Sequence, residues 1–212
     1  MDNSSLQGRL NEDVVIAENG EQSRTGAQSI APDHSPRNPV KSRALPARGL
    51  VQAATADLQR EVEQFLFYQA ELLDGQHWQA YTELFTPDGV YWMPATPEQT
   101  EWQNSPSIFA EDRWMMEVRR GRITHPNAWS QAPNWMTSHL VGNVVIEASD
   151  QRQVSVRSRF QMVEQRRDKQ RHFSGTYRHT LVRTDGAFRI KLQRVDLFNP
   201  GAIYDYVLQA WI

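Results

Sequence analysis

The 212-residue sequence predicts an α+β domain in which helices pack on one face of a curved, mainly antiparallel sheet. Apolar residues recur at helical spacing after residue 57, and β-branched and aromatic segments separated by turn residues fill the last third. Residues 1–50 contain no Phe, Trp or Tyr, which predicts a polar, flexible arm before a domain over 51–212. The alternative is an arm that orders only against a partner subunit.

The first half of the predicted domain is mainly helical. Leu58, Val62 and Leu66 belong to an apolar stripe that predicts a helix from Asp57, and Gly75 ends it. The pattern then predicts a short helix over 77–85, a strand over 89–93, a helix over 107–120 stopped by Gly121, and an irregular aromatic loop around Trp129.

The last third predicts an antiparallel meander with strands over 138–148, 154–166, 172–184 and 187–198. The apolar residues of the second of these strands share one parity, which gives the strand one buried face, and Asp185-Gly186 marks a tight hairpin. In the last strand the apolar residues change parity. We therefore expect a β-bulge or a change of buried face near Gln193-Arg194.

Charge and composition exclude several classes of function. With 23 basic and 25 acidic residues, the chain lacks the positive surface that binds nucleic acid or anionic membranes. It has no cysteine, which excludes disulfides, thiolate nucleophiles and cysteine-bound iron–sulfur clusters. No apolar run reaches the roughly 20 residues that span a bilayer, and the start lacks signal-peptide regions. We expect a cytoplasmic protein.

Three collinear motifs resemble one family. The first is residues 78–94, a Trp, a leucine-rich turn, an acidic residue and an aromatic strand ending in Pro. The second leads from Glu111-Asp112-Arg113 through a tryptophan loop into residues 137–144, and the third begins at residues 173–178. Together they resemble the small subunits of Rieske-type aromatic-ring-hydroxylating dioxygenases over about residues 53–212, closest in pattern to the benzoate, anthranilate and halobenzoate group.

The resemblance implies a cone-shaped fold similar to nuclear-transport-factor-like proteins and scytalone dehydratase. It also implies a structural, non-catalytic small subunit that forms a trimer within an α3β3 hexamer. The large subunit would then hold the Rieske [2Fe-2S] cluster and the mononuclear Fe(II), and this chain would hold no cofactor. Neither nucleic acid nor membrane is an expected partner.

The alternative function is a stand-alone dehydratase or isomerase with an acid–base site in the cone cavity. Its candidate residues are Tyr81, Tyr91, Asp88 and His139. A polar cavity would favour this enzyme, whereas a cavity filled by aromatic side chains would exclude it.

Metal binding and phosphate binding have weaker candidates. Asp74 and His77 have the beginning of a facial iron site, but no second histidine follows at suitable spacing. His172 and His179 have opposite parity and should face opposite sides of one strand. The basic run over 166–171 is expected to be a solvated hairpin tip or the rim of an interface.

The last nine residues are crowded with apolar side chains, and either the chain's own core or a neighbouring subunit must cover them. The resemblance to a trimeric family favours the neighbour. The predicted subunit-interface residues are Tyr204, Tyr206, Leu208, Trp211, Ile212, Trp129, Arg119 and Arg120.

Overall fold

A computed structural model describes residues 55–128, 135–198, 200, 208 and 211–212. The helices are α1 (Ala56–Asp74), α2 (Trp78–Glu83) and α3 (Arg113–Ile123). The strands are β1 (Phe85–Pro94), β2 (Ser107–Asp112), β3 (Trp135–Ser149), β4 (Gln153–Arg166), β5 (Lys169–Thr184) and β6 (Ala187–Leu197). The predicted N-terminal arm lies outside the described residues, so the arm and its boundary stay predictions.

The described strands form a sheet in the order β2-β1-β6-β5-β4-β3. The four-strand meander from β3 to β6 is antiparallel, as predicted, and β1 joins β6 in parallel. The predicted α+β class is confirmed. The helices pack against this sheet and share its core, to which α1 contributes Val62 and Leu66 and α3 contributes Met116.

Turn residues with positive φ lie in two of the three hairpins of the meander. Asp185 and Gly186 have φ of 51° and 82°, which is the conformation of the predicted tight turn between β5 and β6. Arg167 has φ of 56° at the tip between β4 and β5. A shift of one residue would expose buried side chains to water, so these two turns help to set the register of β4, β5 and β6.

The predicted change of parity in β6 is confirmed. Thr180 pairs with Leu192 and Leu181 pairs with Ile190, so Lys191 is the extra residue of a bulge, two positions before the predicted place. After the bulge, Val195 lies fully buried, on the same side as Ile190 before it. Because of the bulge, β6 buries Phe188 and Ile190 before it and Val195 and Leu197 after it, although the two pairs have opposite parity.

Several predicted boundaries are wrong, among them the end of the short helix predicted over 77–85, which stops at Glu83. Residues 107–112 form β2 rather than the start of a helix, because Phe109 and Glu111 alternate inward against β1. Asp112 then caps α3 by accepting a hydrogen bond from the Met115 backbone nitrogen, and α3 continues past the exposed Gly121 to Ile123. Strand β1 begins at Phe85 rather than at residue 89, with an irregularity around Pro87.

Gly175 is required by the close packing of β5 on β6. A Cβ at this position would lie 2.2 Å from the Asp196 carbonyl oxygen and 2.8 Å from Phe160 Cε1. We expect Gly175→Ala to lower the free energy of unfolding by about 1–3 kcal/mol, because backbone and ring must both shift. The control is Gly142→Ala on β3, where a Cβ would meet nothing within 4 Å. Equal urea midpoints for the two variants would refute this packing.

Candidate functional site

Trp211 lies at the centre of an aromatic and polar cluster inside the domain. Its side chain is 2% exposed, and its ring centroid lies 5.3 Å from that of Tyr81 and 6.0 Å from that of Trp78. The indole N–H donates a 3.0 Å hydrogen bond to Glu111 Oε2. Glu111 is itself buried, and its Oε1 accepts a 2.6 Å hydrogen bond from Arg119 Nε. One oxygen of the buried Glu111 carboxylate is therefore paired with Arg119, and the other accepts the hydrogen bond from the Trp211 ring.

The next residue, Ile212, is held through its backbone. Its N–H donates to Tyr91 Oη at 3.1 Å, and its carbonyl oxygen accepts from Gln193 Nε2 at 3.2 Å. Tyr81 Oη donates to Gln193 Oε1 at 2.9 Å, which orients the amide. Sequence reasoning did not identify Gln193 or the buried role of Glu111. The signal that could have identified them is a polar residue at a position of β2 or β6 where the alternation of the strand predicts a buried side chain.

Burial determines the ionisation of the two tyrosines in this cluster. Burial, followed by interactions with neighbours that include Tyr91 and Glu111, raises the pKa of Tyr81 well above its usual range. Burial likewise raises the pKa of Tyr91 far above 10, although its hydrogen bond to Ile212 opposes the shift. Both hydroxyl groups therefore keep their protons and serve as fixed hydrogen-bonding groups.

The expectation that a neighbouring subunit covers Trp211 and Ile212 is wrong, because the chain's own core buries both side chains. Side chains of β1, β2 and β6 form hydrogen bonds with the Trp211 indole N–H and with the Ile212 backbone N–H and carbonyl oxygen. Leu208 is half-buried and packs against the same core. Tyr204, Tyr206 and Trp129 lie outside the described residues.

Asp74 and His139 form a second polar pair, between the end of α1 and β3. Asp74 Oδ1 lies 2.5 Å from His139 Nδ1, and Asp74 Oδ2 accepts a hydrogen bond from the His139 backbone nitrogen. Burial alone would raise the pKa of Asp74, but hydrogen bonds from His139 and Thr137 outweigh it and lower the pKa. The partner of Asp74 is therefore His139 rather than His77. Thr137 and His139 share one parity on β3, which was the available signal.

A third group of polar side chains is buried beneath α1 without hydrogen-bond partners. Its members are Gln69 Oε1, Ser158 Oγ, Tyr177 Oη and both ring nitrogens of His179. The space between α1, Val141 and Tyr177 is too small for a water molecule. Burial lowers the pKa of His179 to about 3, so this ring is neutral near pH 7. This part of the interior is packed rather than open.

The four candidates for a dehydratase or isomerase do not converge. Tyr81 and Tyr91 both belong to the Trp211 cluster, whereas His139 forms a hydrogen bond with Asp74 between α1 and β3. Asp88 lies at the surface, where it accepts a hydrogen bond from Thr86 and lies 3.5 Å from Lys191 Nζ. Around Tyr81 and Tyr91 the described interior is packed with aromatic side chains, among them Phe85, Phe109 and Trp211.

The predicted interface arginines of α3 have different surroundings. Arg119 binds Glu111 and lies over the Phe109 ring, 4.2 Å from its centroid, so its charge is used inside the chain. Arg120 binds Glu117 and lines an open surface cleft of about 460 Å³ between α2 and the end of α3. Both arginines stay interface candidates, and Arg119 has an ion pair within the chain as well.

The basic run is only partly a solvated tip. Residues 167–169 are exposed, as expected. The side chains of Arg166 and Arg171 are only 11% and 16% exposed, and both approach the buried Glu164. The solvated-tip expectation is wrong for these two arginines, because the buried Glu164 carboxylate attracts their guanidinium groups. The alternative, the rim of an interface, stays a prediction.

Large apolar side chains are exposed on three described elements. On α3 they are Trp114, Met115 and Val118, which are neighbours on one face. On the edge strand β3 they are Met136, Leu140 and Val145, and on α1 they are Phe67 and Tyr68. Trp114 and Leu140 are 69% and 68% exposed. Exposed apolar groups of this size are typical of surfaces that meet other proteins.

Two further properties concern metals and membranes. Within the described ranges, no three His, Asp or Glu side chains cluster closely enough to bind a metal ion. His172 is exposed and His179 buried, which confirms that they face opposite sides of β5. None of the helices described is both long and apolar enough to cross a membrane.

Comparison with known proteins identifies the family. The family model described as "Ring hydroxylating beta subunit" matches residues 68–200. The small oxygenase component of the p-cumate 2,3-dioxygenase system of Pseudomonas putida is 32% identical over 63% of this chain and 76% of its own length. The 2-halobenzoate 1,2-dioxygenase small subunit of Burkholderia cepacia is 28% identical over 66% of this chain and 87% of its length.

Solved structures agree with both the family and the fold. The beta subunit of the benzoate 1,2-dioxygenase from Burkholderia mallei is 26% identical, with a TM-score of 0.58 over 70% of this chain and 96% of that one. A candidate scytalone dehydratase from Novosphingobium aromaticivorans, 20% identical with a TM-score of 0.51, covers 71% of this chain and 89% of its own, which shows the fold alone. The chain belongs to the ring-hydroxylating beta subunit family, the small subunits of aromatic-ring dioxygenases.

Proposed function

We propose that this chain is a structural, non-catalytic subunit of an aromatic-ring-hydroxylating dioxygenase and that it supports assembly of the large subunit. The observation that carries the proposal is the filled interior. Trp211 and Ile212 occupy the region of Tyr81 and Tyr91, and the space under α1 is too small for water. In these two regions of the described chain, a substrate ring has no room to bind beside an acid or a base.

The iron chemistry then belongs to the large subunit. A Rieske [2Fe-2S] cluster requires two cysteine and two histidine ligands, and this chain has no cysteine. A mononuclear iron site requires histidines and a carboxylate grouped around one point. The Asp74–His139 pair supplies one of each, and both Asp74 oxygens already accept hydrogen bonds.

The outer surface supports the assembly role. Strand β3 is a 15-residue edge strand with exposed apolar side chains, and exposed edges of this kind pair with other chains unless they are covered. We propose that neighbouring subunits cover β3 and the exposed face of α3, in a trimer of small subunits within a hexamer of three large and three small subunits. The residues that stay candidates for these interfaces are Arg119, Arg120, Trp129, Tyr204, Tyr206 and Leu208.

The proposed substrate of the complex is an aromatic ring, with its choice made by the large subunit. The relatives named above are components of p-cumate, 2-halobenzoate and benzoate dioxygenases, and all three of these substrates are aromatic acids. Identity to the p-cumate component is 32% and to the 2-halobenzoate subunit 28%, so a narrower assignment to the benzoate, anthranilate and halobenzoate group gains no support from identity.

Separate purification of the chain tests the non-catalytic role. The chain alone is expected to contain no stoichiometric iron and to oxidise no aromatic substrate, because the sequence has no cysteine and the described residues include no group of three metal ligands. Mixing it with its large subunit and reductase should give ring oxidation. One equivalent of iron per chain that survives chelation, together with ring oxidation by the chain alone, would overturn the proposal.

A matched pair of variants tests the proposed β3 interface. Leu140→Asp places a charge on the exposed edge and is expected to reduce co-purification with the other subunits at least about tenfold, since a desolvated unpaired charge is costly. Gln151→Asp adds the same charge in the exposed turn after β3 and should have no effect. Equal recovery of both variants in the complex would remove β3 from the interface.

A further inference from the structure

The contact between α1 and the sheet contains buried polar atoms that no hydrogen bond satisfies. On the helix, Gln69 lies in the buried face among apolar residues, and its Oε1 has no partner. On the sheet, Ser158 of β4 is the pairing partner of Tyr177 of β5, and neither hydroxyl group is hydrogen-bonded. His179, two residues further along β5, adds two ring nitrogens without partners.

These unpaired groups make the closed position of α1 less stable than an apolar contact would be. Each polar group that is buried without a hydrogen bond costs free energy, which contact with water would restore. The space between α1, Val141 and Tyr177 is too small for a water molecule, so the helix must move before water can reach them. The buried side chains of Val62 and Leu66 oppose that movement.

The other contacts of α1 allow it to move without the sheet. A helix forms its backbone hydrogen bonds within itself, so its departure breaks none of those between strands. Near its start Glu61 pairs with Arg183, but both side chains are exposed, and such pairs contribute little. At its end Asp74 bonds to His139. In contrast, β5 and β6 are each paired with strands on both sides.

We propose that α1 is a pH-sensitive flap, which opens from the sheet as a unit while β4, β5 and β6 stay paired, and that protonation of His179 favours the open position. The proposal goes beyond the assembly role and does not depend on it. Opening would also break the contacts of Asp74 with His139 and of Gln59 with the Val144 carbonyl oxygen, which tie the helix to β3.

The surroundings of His179 explain why its protonation requires opening. The polar side chains that the adjoining elements place in this region carry no charge, and they are Tyr177 on β5, Ser158 on β4, Gln193 on β6 and Gln69 on α1. Asp74 of α1 and His139 of β3 are bonded to each other. Burial lowers the pKa of His179 to about 3, whereas an open flap would return the pKa to 6.5, so proton uptake below pH 6.5 favours opening.

Hydrogen exchange of the full chain, followed by mass spectrometry in low concentrations of urea, tests the flap. A detached 19-residue helix is only marginally stable in water, so the amides of α1 exchange on opening. Their opening constant should exceed that of the β5 and β6 amides at least about tenfold. It should also rise about tenfold from pH 7.5 to pH 5.5, after correction for the intrinsic exchange rate.

Variants on both sides of the contact assign the cause. Gln69→Leu removes one unpaired group and should lower the opening constant about tenfold. The matched control is Gln64→Leu, the same substitution at an exposed position of α1, which should leave the constant unchanged. His179→Leu should abolish its dependence on pH. Ser158→Ala should also lower the constant, and it is the second variant in case Gln69→Leu does not fold.

Three results would count against the flap. A single opening constant shared by α1, β5 and β6 would overturn it altogether. Equal constants for Gln69→Leu and Gln64→Leu would overturn the role of the unpaired groups. Wild-type opening that does not change between pH 7.5 and pH 5.5 would overturn the role of His179.

Discussion

Replacing Trp211 by Ala is expected to lower the free energy of unfolding of the isolated chain by about 3–5 kcal/mol. The side chain is 2% exposed, so its removal leaves a large cavity against Tyr81 and Trp78. Its loss also leaves Glu111 Oε2 without the N–H donor that it has now. Urea denaturation followed by circular dichroism measures the change without any partner subunit present.

Trp114→Ala is the matched control, because Trp114 is 69% exposed. Its effect on the stability of the isolated chain should stay within about 0.5 kcal/mol. If the Trp211 variant instead keeps wild-type stability alone and fails only in the complex, the residue acts at an interface and its intramolecular role is wrong.

The isolated chain is expected to lose stability as the pH falls below neutral, with His179 as one identifiable cause. Burial lowers the pKa of His179 from 6.5 to about 3, so folding opposes protonation of the ring. Above pH 6.5 the His179 ring is neutral in both the folded and the unfolded chain, so it does not change the stability with pH. Below it the unfolded chain binds a proton that the folded chain does not, and stability falls until the pH reaches the folded-state pKa. The loss is at most about 1.4 kcal/mol per pH unit.

His179→Leu should remove this part of the pH dependence. Neither ring nitrogen has a hydrogen-bond partner, so the substitution breaks no bond and should leave stability near pH 7 equal or higher. Between pH 6.5 and about 4.5, wild type should lose up to about 2.7 kcal/mol more than the variant. His172→Leu, at an exposed position of the same strand, is the control. Parallel curves for wild type and His179→Leu would contradict the assignment.

The sequence predicted the meander well because turn residues separate its strands and apolar residues alternate with polar ones along each strand. Asp185-Gly186 marked a hairpin, and the switch of apolar parity in β6 predicted a bulge that the structure places at Lys191. Residues 107–112 were harder. A six-residue strand followed directly by a helix has too few apolar positions for its period to be distinguished, and only pairing with β1 decides it.

The interior site could not be predicted from the sequence, because it depends on contacts between distant residues. Trp211 and Glu111 are separated by 100 positions, and Asp74 and His139 by 65. The many apolar side chains in the last nine residues are equally consistent with a buried segment and with a subunit interface. The family resemblance favoured the interface, which is wrong for Trp211 and Ile212. Trp211 and Ile212 are buried because the side chains of β1, β2 and β6 leave space for them in the core. The residues next to them in the sequence do not reveal that space.

The native mass of the complex formed by co-expressing this chain with its large subunit tests the assembly role most directly. We predict a hexamer with three copies of each chain, in which the iron copurifies with the large subunit when the complex is dissociated. A small chain that stays monomeric, beside a large subunit that is iron-loaded and fully active without it, would contradict the proposed function.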